Sequence, residues 1–196
     1  MRSIGTLGIV AAVLAVLLIA GCSSYNGFVD AEENVERAWS DVETQYQRRA
    51  DLIPNLVNTV KGAADFERST LEAVTKARAQ ATSINIDASN LTPEMLEQFQ
   101  AAQAQVSQGL GRLLATAEAY PQLRSNAQFQ ELQSQLESTE NRIAVARTRF
   151  NEVATGYNKQ VRRFPGTVFD SVFGFDEKPQ FQAQAGASNA PEVNFD

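Results

Sequence analysis

The sequence predicts an all-α fold, an antiparallel four-helix bundle of long helices, preceded by an N-terminal lipoprotein signal peptide and followed by a flexible C-terminal tail. Three observations carry this expectation. Across residues 28–165, apolar residues recur at alternating spacings of three and four, the period of one helix face. Prolines and capping residues fall at the ends of those stripes. Residues 1–22 hold one charge, Arg2, then an uncharged apolar run and a cysteine, the layout of an export signal.

The signal ends in Ile19-Ala20-Gly21-Cys22, which resembles the bacterial lipobox, where the cysteine thiol takes a diacylglyceryl group before cleavage in front of it. Cys22 is the sole cysteine in the chain. It has no disulfide partner, and lipidation gives it a use. The expected division is a signal peptide at 1–21 and a lipid-anchored linker at 22–27. A helical body at 28–165, a Phe-rich segment at 166–181 and a flexible tail at 182–196 follow. An uncleaved transmembrane anchor is the main alternative, although residues 4–20 are slightly short of the ~20 that a spanning helix wants. Plain secretion is a further alternative. In the first two cases Arg2 stays cytoplasmic and Asp30, Glu32 and Glu33 lie outside. Ser23 after the cysteine, rather than aspartate, favours the outer membrane in an organism that has one.

Four stripes make up the body. The first is Phe28, Ala31, Val35, Ala38 and Val42, flanked by Trp39 and Tyr46. The second starts at Ile53, Val57, Val60 and Ala64 and continues through Leu71, Val74 and Ala81. The third runs from Met95 through Phe99, Val106 and Leu113 to Tyr120. The fourth runs from Phe129 through Leu136, Ile143, Phe150 and Tyr157 to Phe164. Asp51 is placed to cap the second helix, with Pro54 in its first turn. The alternative there is a kink at Pro54 within one longer helix, which leaves three. Thr92-Pro93 starts the third helix and Pro121 stops it. Ser125 or Asn126 caps the fourth, and Pro165 ends it. Such stripes are buried only by packing side by side. Short loops favour a bundle folded from one chain over a coiled-coil oligomer, and the sequence sets no oligomeric state.

Charges interrupt the second stripe at Glu67 and Arg78. A charge on an apolar seam must be paired or must reach the surface. The expectation is a register-fixing ion pair with a neighbouring helix, with Glu118, Glu140 and Arg147 as candidate partners. The functional alternative is a polar site between helices. Arg48-Arg49 and Arg162-Arg163 are only pairs, read as solvated or helix-end charge.

Composition excludes much chemistry. The chain has no histidine and a net charge of −6; losing residues 1–21 removes one base and no acid. That sign opposes phosphate backbones, so no nucleic-acid partner is expected. Histidine-based triads, Glu-x-x-His di-iron sites and Cys/His zinc sites are impossible. Gly109-x-Gly111 lies inside a helical pattern with no strand before it, so it reads as helix packing. Paired carboxylates for glycan cleavage, such as Glu67 with Glu118 or Glu140, are conceivable, but no spacing singles them out. No enzymatic activity, cofactor or metal is expected.

Several blocks resemble the LemA family: Tyr25-Asn26, Trp39-Ser40, Arg48-Arg49, Asp51-Leu52-Ile53-Pro54-Asn55-Leu56-Val57 and Val60-Lys61-Gly62. Ala77-Arg78, Glu118-Ala119-Tyr120-Pro121, Glu140-Asn141-Arg142-Ile143, Ala146-Arg147, Asn151, Tyr157-Asn158 and Phe164-Pro165 continue the series. The resemblance spans residues 25–181. It implies a four-helix domain in the cell envelope, facing outward from the membrane, and it implies no reaction. The chain departs from the pattern in its lipobox, where an uncleaved membrane segment is usual. It departs again at Phe150, where the pattern leads one to expect tyrosine, an exchange that keeps the ring and argues against essential chemistry there.

After Pro165 phenylalanines become dense at Phe169, Phe173, Phe175 and Phe181. They either cover the end of the bundle or form a contact surface for membrane or partner. The expected role is an envelope scaffold or adaptor, joined to the membrane through its lipidated N-terminus and binding other envelope proteins. The alternative is a module holding a small ligand or ion near Glu67 and Arg78. Less favoured is a hydrolase of envelope polymers.

Overall fold

The computed structural model describes residues 2–62 and 66–182, and among them there are helices, turns and irregular segments but no strand. Four helices are long: α1 (Arg2–Lys61), α2 (Arg68–Thr82), α3 (Pro93–Ala117) and α5 (Ala127–Val161). Two are short, α4 (Pro121–Arg124) and α6 (Gly166–Phe173), and a single 3-10 turn spans Ala88–Asn90. Helix α1 lies along α5, α2 lies along α3, and α1 also touches α2. Residues 183–196, which hold almost all of the expected tail, lie outside the described residues.

The helix boundaries correct two expectations. Asp51 caps nothing. It lies inside α1, where Gln47 Nε2 donates to its Oδ1 at 2.8 Å, and α1 passes through Pro54 without a break. The alternative of one helix running on past Pro54 describes this region, but four long helices remain, because α1 ends at Lys61 and a separate α2 follows. Helix α2 begins at Arg68, so the second stripe is divided between the two, with Ala64 outside the described residues. Proline has no N–H, so the carbonyl four residues earlier loses its helical partner. That carbonyl belongs to Ala50, and Arg78 Nε of α2 donates to it at 2.6 Å. A residue from the next helix thus satisfies the group that Pro54 orphans. The expected linker at 22–27 is helical as well. Ser23, Ser24, Asn26 and Gly27 are poor helix formers, but Tyr25 and Phe28 tie this turn to aromatic rings further along the chain.

Other boundaries follow the sequence reading. Thr92 accepts from Met95 N at 3.2 Å, and Asn126 Oδ1 accepts from Gln128 N and Phe129 N at 2.9 and 3.1 Å. Pro121 opens α4 rather than ending α3, which already stops at Ala117.

Two apolar clusters fill the interior. One surrounds Trp39, whose ring meets Phe99, Phe150 and Phe181 at 5.4, 5.5 and 5.9 Å. The other gathers Ile53, Leu56, Val60, Val74, Leu113 and Leu132. Each such aliphatic side chain contributes ~1.5–3 kcal/mol when fully buried.

Candidate functional site

The two clusters are separated by a polar layer. On α1, Tyr46 belongs to the first cluster and Leu52 to the second, and Arg49 lies between them. On α3, Gln103 falls between Phe99 and Val106, and on α5 Thr139 and Glu140 fall between Leu136 and Ile143. Arg49 is only 2% exposed. Its Nη1 donates to Ser107 Oγ and Glu140 Oε1, both at 2.8 Å. Its Nη2 donates to the Gln103 carbonyl at 3.2 Å and to Gln103 Oε1 at 2.5 Å. The guanidinium carbon lies 5.0 Å from the centre of the Tyr46 ring. One buried cation therefore joins three helices, and the half-exposed Glu140 supplies its counter-charge.

A groove of about 910 Å³ between α1, α2 and α3 opens onto this layer. Tyr46, Arg49 and Gln103 face it from the layer, with Glu43, Asn55 and Arg78 along its sides. Burial raises the Tyr46 phenol, while Arg147 and Arg49 nearby oppose the shift. Burial also raises the Glu43 carboxyl, offset in part by the indole N–H of Trp39. The guanidinium is occupied by protein acceptors, so the groove offers shape and hydrogen bonding. Among the described residues no cluster of three or more His, Cys, Asp and Glu could hold a metal ion.

A second built feature lies on α5. Asn158 Nδ2 donates to the Lys178 carbonyl at 2.8 Å and its Oδ1 accepts from Lys178 N at 2.9 Å. Asn151 does the same with Phe181, at 2.9 and 2.8 Å. Seven residues of helix advance ~10.5 Å, and three extended residues advance ~10 Å. The two amides therefore act as rungs that hold residues 178–181 along the helix. Lys178, 6% exposed, reaches Glu32 at 2.8 Å and the Ser89 carbonyl at 2.9 Å. Phe181 enters the Trp39 cluster beneath the Arg147 guanidinium, 4.7 Å away.

The charges singled out from sequence do not converge. Glu67 is exposed at the N-cap of α2, where Ser69 and Thr70 hydroxyls donate to it at 2.7 and 3.0 Å. Those hydroxyls hold its carboxyl below the usual range, with a smaller contribution from Arg112. Arg112 stands 3.8 Å away on α3, and both side chains are open to solvent. Glu67 is therefore not buried: as the N-cap residue of α2, with extended backbone, it stands outside the helical seam. Arg78 is partly buried, as expected, but its hydrogen bond goes to a carbonyl instead of an acid. Glu118 is exposed at the C-cap of α3. Arg147 contacts Gln100 Oε1 and the Gln182 carbonyl at 3.4 and 3.3 Å. Of the five, Glu67 and Glu140 each form an ion pair with a neighbouring helix, and only the partner of Glu140, Arg49, is buried. Arg49, expected as solvated or helix-end charge, continues the spacing Val42, Tyr46, Arg49, Ile53. The stripe shows this once α1 is followed through Pro54.

Phe175 and Phe181 are buried, while Phe173 is 57% exposed with its ring 5.2 Å from Tyr25. The side chain of Phe169 lies outside those described. Cys22 is exposed on α1. Among the described residues no helix is long and apolar enough to cross a membrane, and most side chains of residues 4–20 lie outside them.

Comparison with known proteins bears on the whole body. The family model described as LemA family matches residues 38–195. Over 194 residues the chain is 27% identical to magnetosome protein MamQ 2 of Paramagnetospirillum magneticum, covering 88% of this chain and 68% of that protein. It is 26% identical over 200 residues to magnetosome protein MamQ of Magnetospirillum gryphiswaldense, covering 92% and 71%. It is 22% identical over 139 residues to protein LemA of Metamycoplasma hominis, covering 71% and 60%.

Proposed function

Since this chain belongs to the LemA family, we propose that it is a membrane-held envelope protein, lipidated at Cys22, whose helical body binds other envelope proteins instead of catalysing a reaction. The body is read as a four-helix bundle of α1, α2, α3 and α5, outside the cytoplasm, on the outer membrane where the organism has one. The observation that carries the binding role is the open polar groove set on the Arg49 layer. A buried cation ties two of its walls, α1 and α3, to α5, and a pre-organised surface loses less ordering entropy on binding. The lack of histidine and the single cysteine at the anchor remove the usual nucleophile and base from the body.

Gentle crosslinking and pull-down from detergent extract tests the role. Asn55→Trp and Thr82→Trp fill the groove from its exposed lip without touching Arg49. Loss of the crosslinked proteins supports the reading, and an unchanged pattern from both well-folded variants rejects it. The groove volume also lies within the usual range of ~300–1,000 Å³ for small-ligand sites. A ligand-dependent rise in melting temperature that both tryptophans abolish would favour the ligand-binding alternative. Intact mass of the membrane form tests the lipid: the expected mass begins at Cys22 with acyl groups added, and an unmodified mass beginning at Met1 rejects it.

A further inference from the structure

We infer that the end of the body where α1 enters it is a lipid-contact surface, with Tyr25, Phe164, Val172 and Phe173 seated in the headgroup region of the membrane that holds the N-terminus. The inference rests on the anchored reading above. The large apolar side chains exposed among the described residues are Ile19, Tyr25, Val145, Phe164, Val172 and Phe173. Ile19 belongs to the apolar run itself, and Val145 stands alone on α5. The other four gather at one end of the molecule. Phe173 meets Tyr25 edge-on at 5.2 Å. Phe164 lies two residues before Gly166, where an added Cβ would collide with the Gln160 and Val161 carbonyl oxygens and stand 2.9 Å from Phe28 Cζ. The glycine lets the corner fold back onto the last turn of α5, with Phe28 of α1 beside it.

The continuity of α1 fixes the height of this patch. Five residues separate Ala20 from Tyr25 with no break in the helix, a rise of ~7.5 Å. The interfacial layer of one leaflet is ~5–8 Å deep beyond the hydrocarbon. Tyr25 and the rings against it therefore stand at headgroup level, whether residues 4–20 remain as an anchor or acyl chains on Cys22 replace them. Aromatic rings at that level are favourable, because one end is apolar and the other wet. Exposed to water as a cluster, the same rings would promote association. Charge selects the lipid. Asp30, Glu32, Asp170, Asp176 and Glu177 belong to the segments at this end, with Arg162, Arg163 and Lys178 against them. Glu32 is held by Lys178 and Glu177 by Arg162. The balance disfavours anionic headgroups and suits zwitterionic ones.

The test uses the full chain in phosphatidylcholine vesicles. Phe173→Trp and Phe164→Trp are the reporters and Val145→Trp is the control. Trp39, the sole native tryptophan and 1% exposed, supplies a constant background. The expected result is blue-shifted emission from both reporters and a loss of intensity with lipids brominated near the headgroup, while Val145→Trp stays red and unquenched. If the protein floats with the vesicles but the reporters behave like Val145→Trp, this inference fails and the anchor stands. If the parent chain does not float, the anchored reading falls and this one with it. Should Phe173→Trp lose its helical signal, Phe164→Trp decides alone. Reporters shielded from an aqueous quencher in native membranes but not in vesicles would assign the patch to a protein partner and overturn the lipid reading.

Discussion

Replacing Glu140 with alanine removes the sole charged partner that Arg49 has in the polar layer. Breaking a fully buried ion pair costs ~3–5 kcal/mol. Glu140 is 45% exposed on its side chain while Arg49 is 2% exposed, so water replaces part of the lost contact. Ser107 and Gln103 keep their bonds to the guanidinium. The discounted expectation is ~1.5–3 kcal/mol, or ~4–10 °C of melting temperature for a chain of this size. Arg49→Met acts differently, because it orphans Gln103 Oε1 and also relieves the desolvation of the cation. Its expected cost is ~1–3 kcal/mol. In the double variant no unpaired charge remains, so the two costs do not add, and a coupling of about 1 kcal/mol or more is expected. Thermal melting followed by helical circular dichroism, with urea titration of the four proteins, measures that coupling. A value below ~0.5 kcal/mol would place the pair with ordinary surface contacts and would remove the polar layer as an organising feature.

The remaining predictions concern the other built features. Arg78→Ala should cost ~1–3 kcal/mol by leaving the Ala50 carbonyl unpaired. Pro54→Ala should recover much of that loss, since it restores the helical N–H that the carbonyl lacked; equal melting of the single and double variants would refute the pairing. Asn158→Ala should cost a similar amount and release the Lys178 amide to rapid hydrogen exchange ahead of the helices, and unchanged protection there would show that the rungs hold nothing. Burial raises both Tyr46 and Tyr157 above the ordinary phenol value. The stability that this neutrality gives is complete below about pH 10 and is lost as pH rises from there through the raised folded-state values. Ultraviolet titration should therefore find two phenols that ionise only as the helical signal falls, and four that ionise together near pH 10 in a folded chain would contradict their burial.

Helix content, stripe positions and most caps were legible because each depends on a few adjacent residues. Thr92-Pro93 and Asn126 act as their local chemistry indicates. Pro54 misled because its neighbours resemble a helix start, while its actual accommodation depends on Arg78 from another helix. Arg49 was hidden for the same reason: its stripe position shows once α1 is one piece. The rungs at Asn151 and Asn158 left no signal in local pattern, since an amide that pairs with a peptide 30 or 20 residues away looks like any polar helix residue. Of the Phe-rich segment, composition announced that something must be covered, but burial of Phe175 and Phe181 beside an exposed Phe173 depends on how the chain folds back.

Under the proposed anchoring, the unbroken α1 turns membrane attachment into a matter of height. With no helix break between Cys22 and the body, the distance of every face from residue 22 is set by the helix itself, and the turn at Gly62 stands ~60 Å along the axis from Cys22. Inserting one alanine between Cys22 and Tyr25 would rotate the body by ~100° and lift it by 1.5 Å, whereas inserting seven would nearly restore its heading ~10 Å higher. A protein held at one point spins about the membrane normal, so under the proposed anchoring a partner in the same membrane would hardly sense the first change and would meet its surface at the wrong height after the second.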